Sequence, residues 1–226
     1  MDSPDRERRE LILRTATRLF AALGYDVTST AQIAEAAGLD PAEVAAHFPA
    51  KRELYLEVMR RARDRLAAVI NERADELLAA PPERRGEALR HFIDAYLDGC
   101  VAHPEIAALW MHRWLSDASD VVDLEIRSAQ PLIQHIVNAM AEPAEPAGAD
   151  ALHTTYTVIW CIHGFVLSGV LDGTGGRLGA DDPDQLARFR AHLHQLLARG
   201  LHLPDACAPT GPADSAEGAE GEISGT

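Results

Sequence analysis

Apolar residues recur along most of the chain at spacings of three and four, the period of a helix with one buried stripe. The first stripe is Leu11, Ile12, Ala16, Leu19, Phe20 and Leu23, and Gly24 follows it where a C-terminal cap belongs. A short second stripe, Ile33, Ala34 and Ala37, comes after Thr28, the expected N-cap, and ends at Gly38. The third opens with Asp40 as cap and Pro41 at the first helical position, and turns Val44 and Phe48 inward. From Lys51 no Gly or Pro interrupts the chain until Pro81-Pro82, so a long fourth helix is predicted to about residue 80.

Further helices are predicted over residues 83–102, around 106–114, from about 120 to 141, over 150–171 and over 183–200. Pro131 falls inside the seventh and should kink it, at a cost of ~3 kcal/mol. Residues 1–5 read as a frayed end. Residues 142–149 and the Gly- and Asp-rich stretch 172–184 read as connections, and 204–226 as a disordered acidic tail. The eighth helix is apolar nearly all round, which burial by a second subunit would explain. Val and Ile form no alternating runs, alanine is abundant and aromatics are sparse, so the fold class is all-α.

Charge changes this picture only through its distribution. The net value is −14, which taken alone argues against a nucleic-acid partner. Residues 1–65 hold 11 acids and 11 bases, whereas residues 66–226 hold 24 acids and 10 bases and carry the whole imbalance. A neutral head therefore precedes an acidic body, and phosphate contact needs only local cations. Arg6, Arg8 and Arg9 form a basic cluster at the start, readable as a phosphate-touching arm or as a solvated helix end. Three cysteines without paired spacing suit a reducing cytoplasm; no signal peptide is read at the N-terminus, and no apolar run is long enough to cross a membrane.

The second and third helices, joined at Gly38, form a helix-turn-helix pattern. The match is closer than that generic motif. Leu19-Phe20, Gly24-Tyr25, Thr28, Ile33-Ala34, Ala37-Gly38-Leu39, His47-Phe48 and Lys51, at these spacings, resemble the N-terminal DNA-binding domain of the TetR family of bacterial regulators. The resemblance covers about a quarter of the chain. It implies a DNA-binding head over residues 1–50 and a helical ligand-binding and dimerisation body over 51–203. The implied partners are a double-stranded DNA operator, a small-molecule effector and a second copy of the chain, joined through the eighth and ninth helices.

By the same resemblance Thr28 and Lys51 contact the DNA backbone, the first as a capping hydroxyl, and His47 ends the recognition helix, residues 41–47. Two positions depart from the family pattern: Ala45 replaces a phosphate-contacting tyrosine, and Ala31 a frequent base-reading side chain. Sequence reading then falls to Glu43, to Gln32, Thr30 or Ser29, and to methyl contacts from Ala42 and its neighbours, with no Arg or Lys to take a guanine edge. The alternative is a ligand- or partner-binding helical dimer whose head has lost DNA.

In the body, Phe92, Tyr96, Cys100 and Trp110 are candidate ligand contacts, with Met111, Trp114, Ile126, Gln130 and Ile133. Apolar aromatics with a few polar tips line small-molecule cavities, and equally fill ordinary helical cores. No metal site is expected, because Cys161 and His163, like His192 and His194, are two apart and cannot share a helix face. No phosphate loop, nucleophile elbow or paired-cysteine motif is present, so neither catalysis nor a cofactor is expected.

Overall fold

A computed structural model describes residues 3–203, apart from 123 and 125–128. Among the described residues the chain forms α1 (Ser3–Leu23), α2 (Thr30–Ala37), α3 (Pro41–His47), α4 (Lys51–Ala79), α5 (Arg85–Ala102), α6 (Pro104–Trp114), α7 (Gln130–Ala144), α8 (Ala151–Ser168) and α9 (Pro183–Gly200). The protein is all-α apart from a two-stranded ribbon. The expected disordered tail, residues 204–226, lies outside the described residues.

The head closes where the stripes said it would. Ile12, Ala16, Phe20, Ile33, Val44 and Phe48 are buried, and Gly24 and Gly38 both take positive φ at the helix ends. The cap of α2 is one residue later than expected. Ser29, not Thr28, holds it: the Gln32 N–H donates to Ser29 Oγ at 3.2 Å, and the Ser29 N–H donates to Gln32 Oε1 at 2.8 Å. Thr28 is 1% exposed and its hydroxyl donates to the Gly24 carbonyl at 2.6 Å, which closes the turn from inside. Asp40 caps α3 as expected, with Glu43 completing the box. Leu23 departs from its stripe and is exposed, and α1 begins at Ser3, so residues 3–5 are helical and not frayed.

The long helix α4 joins two environments. Its first turns bury Leu54, Tyr55, Val58 and Met59 against the head, where the Phe20 and Tyr55 rings meet edge to face at 5.3 Å. Its later turns bury Leu66, Ile70, Ala74 and Leu77 against α5 and α7. Gly99 lets α5 come close, since a Cβ there would stand 3.0 Å from Leu66 Cδ2. Between these regions Glu57 accepts from Arg60 and Arg61, and Arg61 reaches across to Glu10 of α1 at 2.5 and 2.7 Å. These guanidiniums hold the Glu57 carboxyl down at about 2.

Three loop readings need correction. Pro131 lies in the first turn of α7, which begins at Gln130, where its missing N–H costs nothing; residues 125–128 before it lie outside the described residues. The same helix runs through Pro143 to Ala144, and a 3₁₀ turn over Glu145–Ala147 fills most of the expected 142–149 loop. The eighth helix ends at Ser168 and not at 171, and Val170–Leu171 (β1) pairs with Arg177–Leu178 (β2) in an antiparallel ribbon, pinned by Asp172 Oδ1 accepting from Thr174 and Gly176. Asp94 and Asp98 of α5 hold α9: Arg190 donates to both, and His194 Nε2 lies 2.9 Å from Asp94.

Candidate nucleic-acid interface and ligand cavity

On the head, α3 presents Ala42, Ala45 and Ala46 to solvent, with Glu43 and His47 half-buried, and α2 exposes Ala31 and Gln32. Most candidate polar side chains already have local partners. Glu43 Oε2 accepts from the Asp40 N–H at 2.9 Å and its other oxygen lies 3.4 Å from Arg8 Nε. His47 Nε2 sits 3.6 Å from Asp5, and Gln32 and Ser29 cap each other. Lys51 donates to the Tyr25 carbonyl at 2.9 Å, with its ammonium 4.1 Å from the Tyr25 ring centre. Thr30 opens α2 half-buried. Thr28 is corrected here as well: a buried hydroxyl committed to Gly24 is a structural closure and not a cap held ready at the surface.

The basic cluster belongs to α1 and not to an extended arm. Arg9 stacks over the Phe48 ring at 4.9 Å and lies 3.6 Å from Glu57. Arg6 is exposed.

A second set of contacts ties the head to the body. Beyond the end of α6, Asp117 Oδ2 accepts from the Tyr25 N–H at 2.6 Å and Oδ1 from the Asp26 N–H at 2.9 Å. Asp26 answers by accepting from the Ala118 N–H at 3.3 Å, and His112 Nε2 lies 3.1 Å from the Ala21 carbonyl. Arg113 donates to the carbonyls of Asp117, Ala118 and Val121 and so fixes the shape of this loop. Ser116 and Ala118 sit at φ of 72° and 56°, an uncommon conformation for side-chain-bearing residues. Gly24 is needed at the contact, because a Cβ there would stand 3.1 Å from the Asp117 carboxylate. This clamp was not anticipated; the only hint was a Ser-Asp-Ala-Ser link with no apolar period.

Inside the body, a cavity of about 290 Å³ opens between α4, α6, α7 and α8. Of the residues singled out from the sequence, Tyr96, Trp110, Trp114, Gln130 and Ile133 line it. Phe92 lines a much smaller adjoining void, and Cys100 is fully buried beside Tyr96, with its thiol pushed up to about 12 by burial. Met111 is not among the described lining residues, and Ile126 lies outside the described residues. Sequence reasoning missed the α4 and α8 walls: Arg63, Leu66 and Ile70 on one, and Leu152, Tyr156, Ile159 and His163 on the other. The signal was available, since both sets keep one helix face and interrupt an inward stripe with polar tips.

His163 is the polar centre of the α8 wall. Its ring stacks on Trp114 at 5.4 Å and its Nε2 lies 2.7 Å from the Tyr96 hydroxyl, while among the described residues Nδ1 has no partner. Burial holds its pKa down to about 4, so the imidazole is neutral at neutral pH. A depressed histidine pKa means the unfolded chain takes up a proton that the folded one refuses. Stability is therefore full above pH ~6.5 and falls as pH drops towards 4. Urea unfolding at pH 7 and pH 5 should differ by on the order of 2 kcal/mol through this group. In His163→Gln that part of the difference should disappear; an unchanged pH dependence would refute the assignment.

Cys161, two residues before His163, is exposed on the opposite side of α8, and among the described residues no His, Cys, Asp or Glu cluster could hold a metal. No helix among the described residues is long and apolar enough to cross a membrane.

The described residues thus form a helix-turn-helix head, a helical body with an internal cavity and a loop tying one to the other. Residues 12–58 match the family model of bacterial regulatory proteins, tetR family. The fold is that of TetR-family regulators: PfmR from Thermus thermophilus aligns with a TM-score of 0.60 at 24% identity, over 84% of this chain and 98% of that one. A transcriptional regulator from Saccharomonospora viridis, solved with choline, aligns at 0.57 and 24%, over 85% and 96%. AibR, solved with isovaleryl coenzyme A and operator DNA, aligns at 0.62 and 16%, over 84% and 97%. No curated protein matches the sequence. The head over residues 12–58 is thus a tetR-family DNA-binding domain by its sequence, and the body shares the fold of the regulators it aligns with.

Proposed function

We propose that this regulator is a ligand-responsive repressor, cytoplasmic and dimeric, that leaves a palindromic operator when a small molecule fills the body cavity. The observation that carries this reading is the position of α6. It supplies Trp110 and Trp114 to the cavity wall and runs directly into the Asp117 clamp on the head. An occupant that moves α6 changes the free energy of the head's position, which is what coupling between two sites requires. Two fold relatives, one solved with operator DNA and isovaleryl coenzyme A and one with choline, support the reading of a DNA-binding and ligand-binding protein.

The dimer reading rests on an unpartnered face. Trp160, Cys161 and Leu167 of α8 and Leu196 of α9 are exposed, with Trp160 at 54%. A single chain gains nothing from leaving them in water. Two heads would then meet half-sites ~34–36 Å apart or a multiple of that.

The test is selection of genomic fragments by the purified protein, followed by release with candidate compounds. On a selected fragment, Lys51→Ala should weaken binding of all sequences by about tenfold and lower the salt slope by about 1, whereas Glu43→Ala should alter which bases are preferred. Retention of full affinity in Lys51→Ala would remove it from the interface. The alanine face of α3 and the local pairing of Glu43 favour a second reading, a ligand- or partner-binding dimer with a degenerate head. Failure to bind any duplex at low salt, the protein's own promoter included, would decide for it.

A further inference from the structure

The cavity's lining is selective in a way that identifies the chemistry of its occupant. Two of the three tryptophans and two of the four tyrosines in the chain, Trp110, Trp114, Tyr96 and Tyr156, face this one space. Flat apolar walls of this kind favour offset or edge contacts with another ring. The volume, about 290 Å³, lies just below the ~300–1,000 Å³ usual for ligand cavities, which favours a compact occupant.

Charge decides the rest. Although the chain is strongly acidic, no Asp or Glu is among the described lining residues; the one charged side chain there is Arg63. Arg63 Nε and Nη2 lie 2.9 and 2.5 Å from Asp64 Oδ1, and Asp64 Oδ2 also takes Arg60 at 2.6 Å. Around it Arg9, Arg60, Arg61 and Arg63 face Glu10, Glu57 and Asp64, four guanidiniums against three carboxylates. Asp64 is divided between Arg60 and Arg63, so the Arg63 guanidinium stands beside the apolar space sharing its carboxylate with a second cation. His163 adds no charge, being neutral. Among the described lining residues a cation would find aromatic faces but no counter-charge, and the Arg63 field against it.

We propose that the cavity binds a compact aromatic monoanion, of the aromatic carboxylate class, with its ring among Trp110, Trp114 and Tyr156 and its negative end towards Arg63. The assignment rests on the reading of this cavity as the effector site. A carboxylate matches the planar guanidinium donors of Arg63 and competes with Asp64 for them.

Three probes sharing one ring system test it by titration calorimetry on the full chain: 2-naphthoate, 2-naphthylmethanol and 2-naphthylmethylammonium. The naphthoate should bind about tenfold or more tightly than the ammonium, the advantage expected of one charge-assisted contact. Arg63→Gln should remove most of that advantage while leaving the alcohol within about twofold, and Arg63→Lys should restore part of it. Trp114→Ala should weaken all three. The proposal is overturned if the ammonium binds as well as the naphthoate, if Arg63→Gln leaves naphthoate affinity unchanged, or if no probe binds. DNA binding measured on the same samples separates ligand class from regulatory role. If the ammonium or the alcohol binds best and releases DNA, the effector role stands and the anion assignment falls. If naphthoate binds through Arg63 and DNA is retained, the ligand class stands and the regulatory reading falls.

Discussion

Phe20→Ala should destabilise the protein by about 3–5 kcal/mol, the largest loss expected from any single substitution in the head. Phe20 is fully buried and is the ring on which the other two turn: Tyr55 meets it at 5.3 Å edge to face and Tyr25 at 6.0 Å. The void left by its removal is bordered by helices already closed by glycine turns, so little collapse can offset it. Thermal or urea unfolding of the variant measures the effect. A loss under about 1 kcal/mol would show that the head repacks freely and that its core is not the rigid unit described.

Asp117→Ala should cost less in stability, about 1–3 kcal/mol, and more in communication. It removes the acceptor of two backbone N–H groups, Tyr25 at 2.6 Å and Asp26 at 2.9 Å, and leaves Ser116 and Ala118 at positive φ without the contact that their geometry serves. Hydrogen exchange at the amides of residues 25 and 26 should accelerate in the variant while that of the α5 core does not. Ligand affinity should be retained and its effect on DNA affinity reduced towards none. If Asp117→Ala releases DNA in response to ligand as the parent does, coupling runs along α4 and not through this clamp.

The helices of this protein were legible because each is built on a stripe with its own stop signals. Gly24, Gly38, Pro41 and Pro81-Pro82 punctuate the first four helices, and their number and order follow from those residues. What was misplaced depended on neighbours. Thr28 and Ser29 are equally good caps by type, and the choice between them is made by Gln32, which can return a bond to Ser29 only. Pro131 looked internal because an apolar period continued before it. The ribbon at residues 170–178 carries no strand period and is made by the Asp172 carboxylate gathering backbone donors.

The candidate cavity was half legible for the same reason. Tyr96, Trp110 and Trp114 announce themselves as large aromatics, but Arg63 and His163 look like a surface charge and a core-edge histidine until the packing of α4 and α8 turns both towards one space. On the head, sequence identified which positions face outward and could not reveal that Lys51 and Glu43 are already engaged with Tyr25 and Asp40.

The sharing of α4 has a consequence for how such proteins can be recombined. Tyr55 closes the head's aromatic cluster and Val58 and Met59 are buried in the next turn, so a fragment ending at residue 50 leaves behind the ring that seals its own interior. A transplanted head specifies its fold only if it travels with the first turns of α4, to about Ala62. On the proposed function, a crossover that exchanges the head while keeping the cavity intact must therefore fall right after Ala62 and before Arg63, where the buried side of α4 passes from one client to the other.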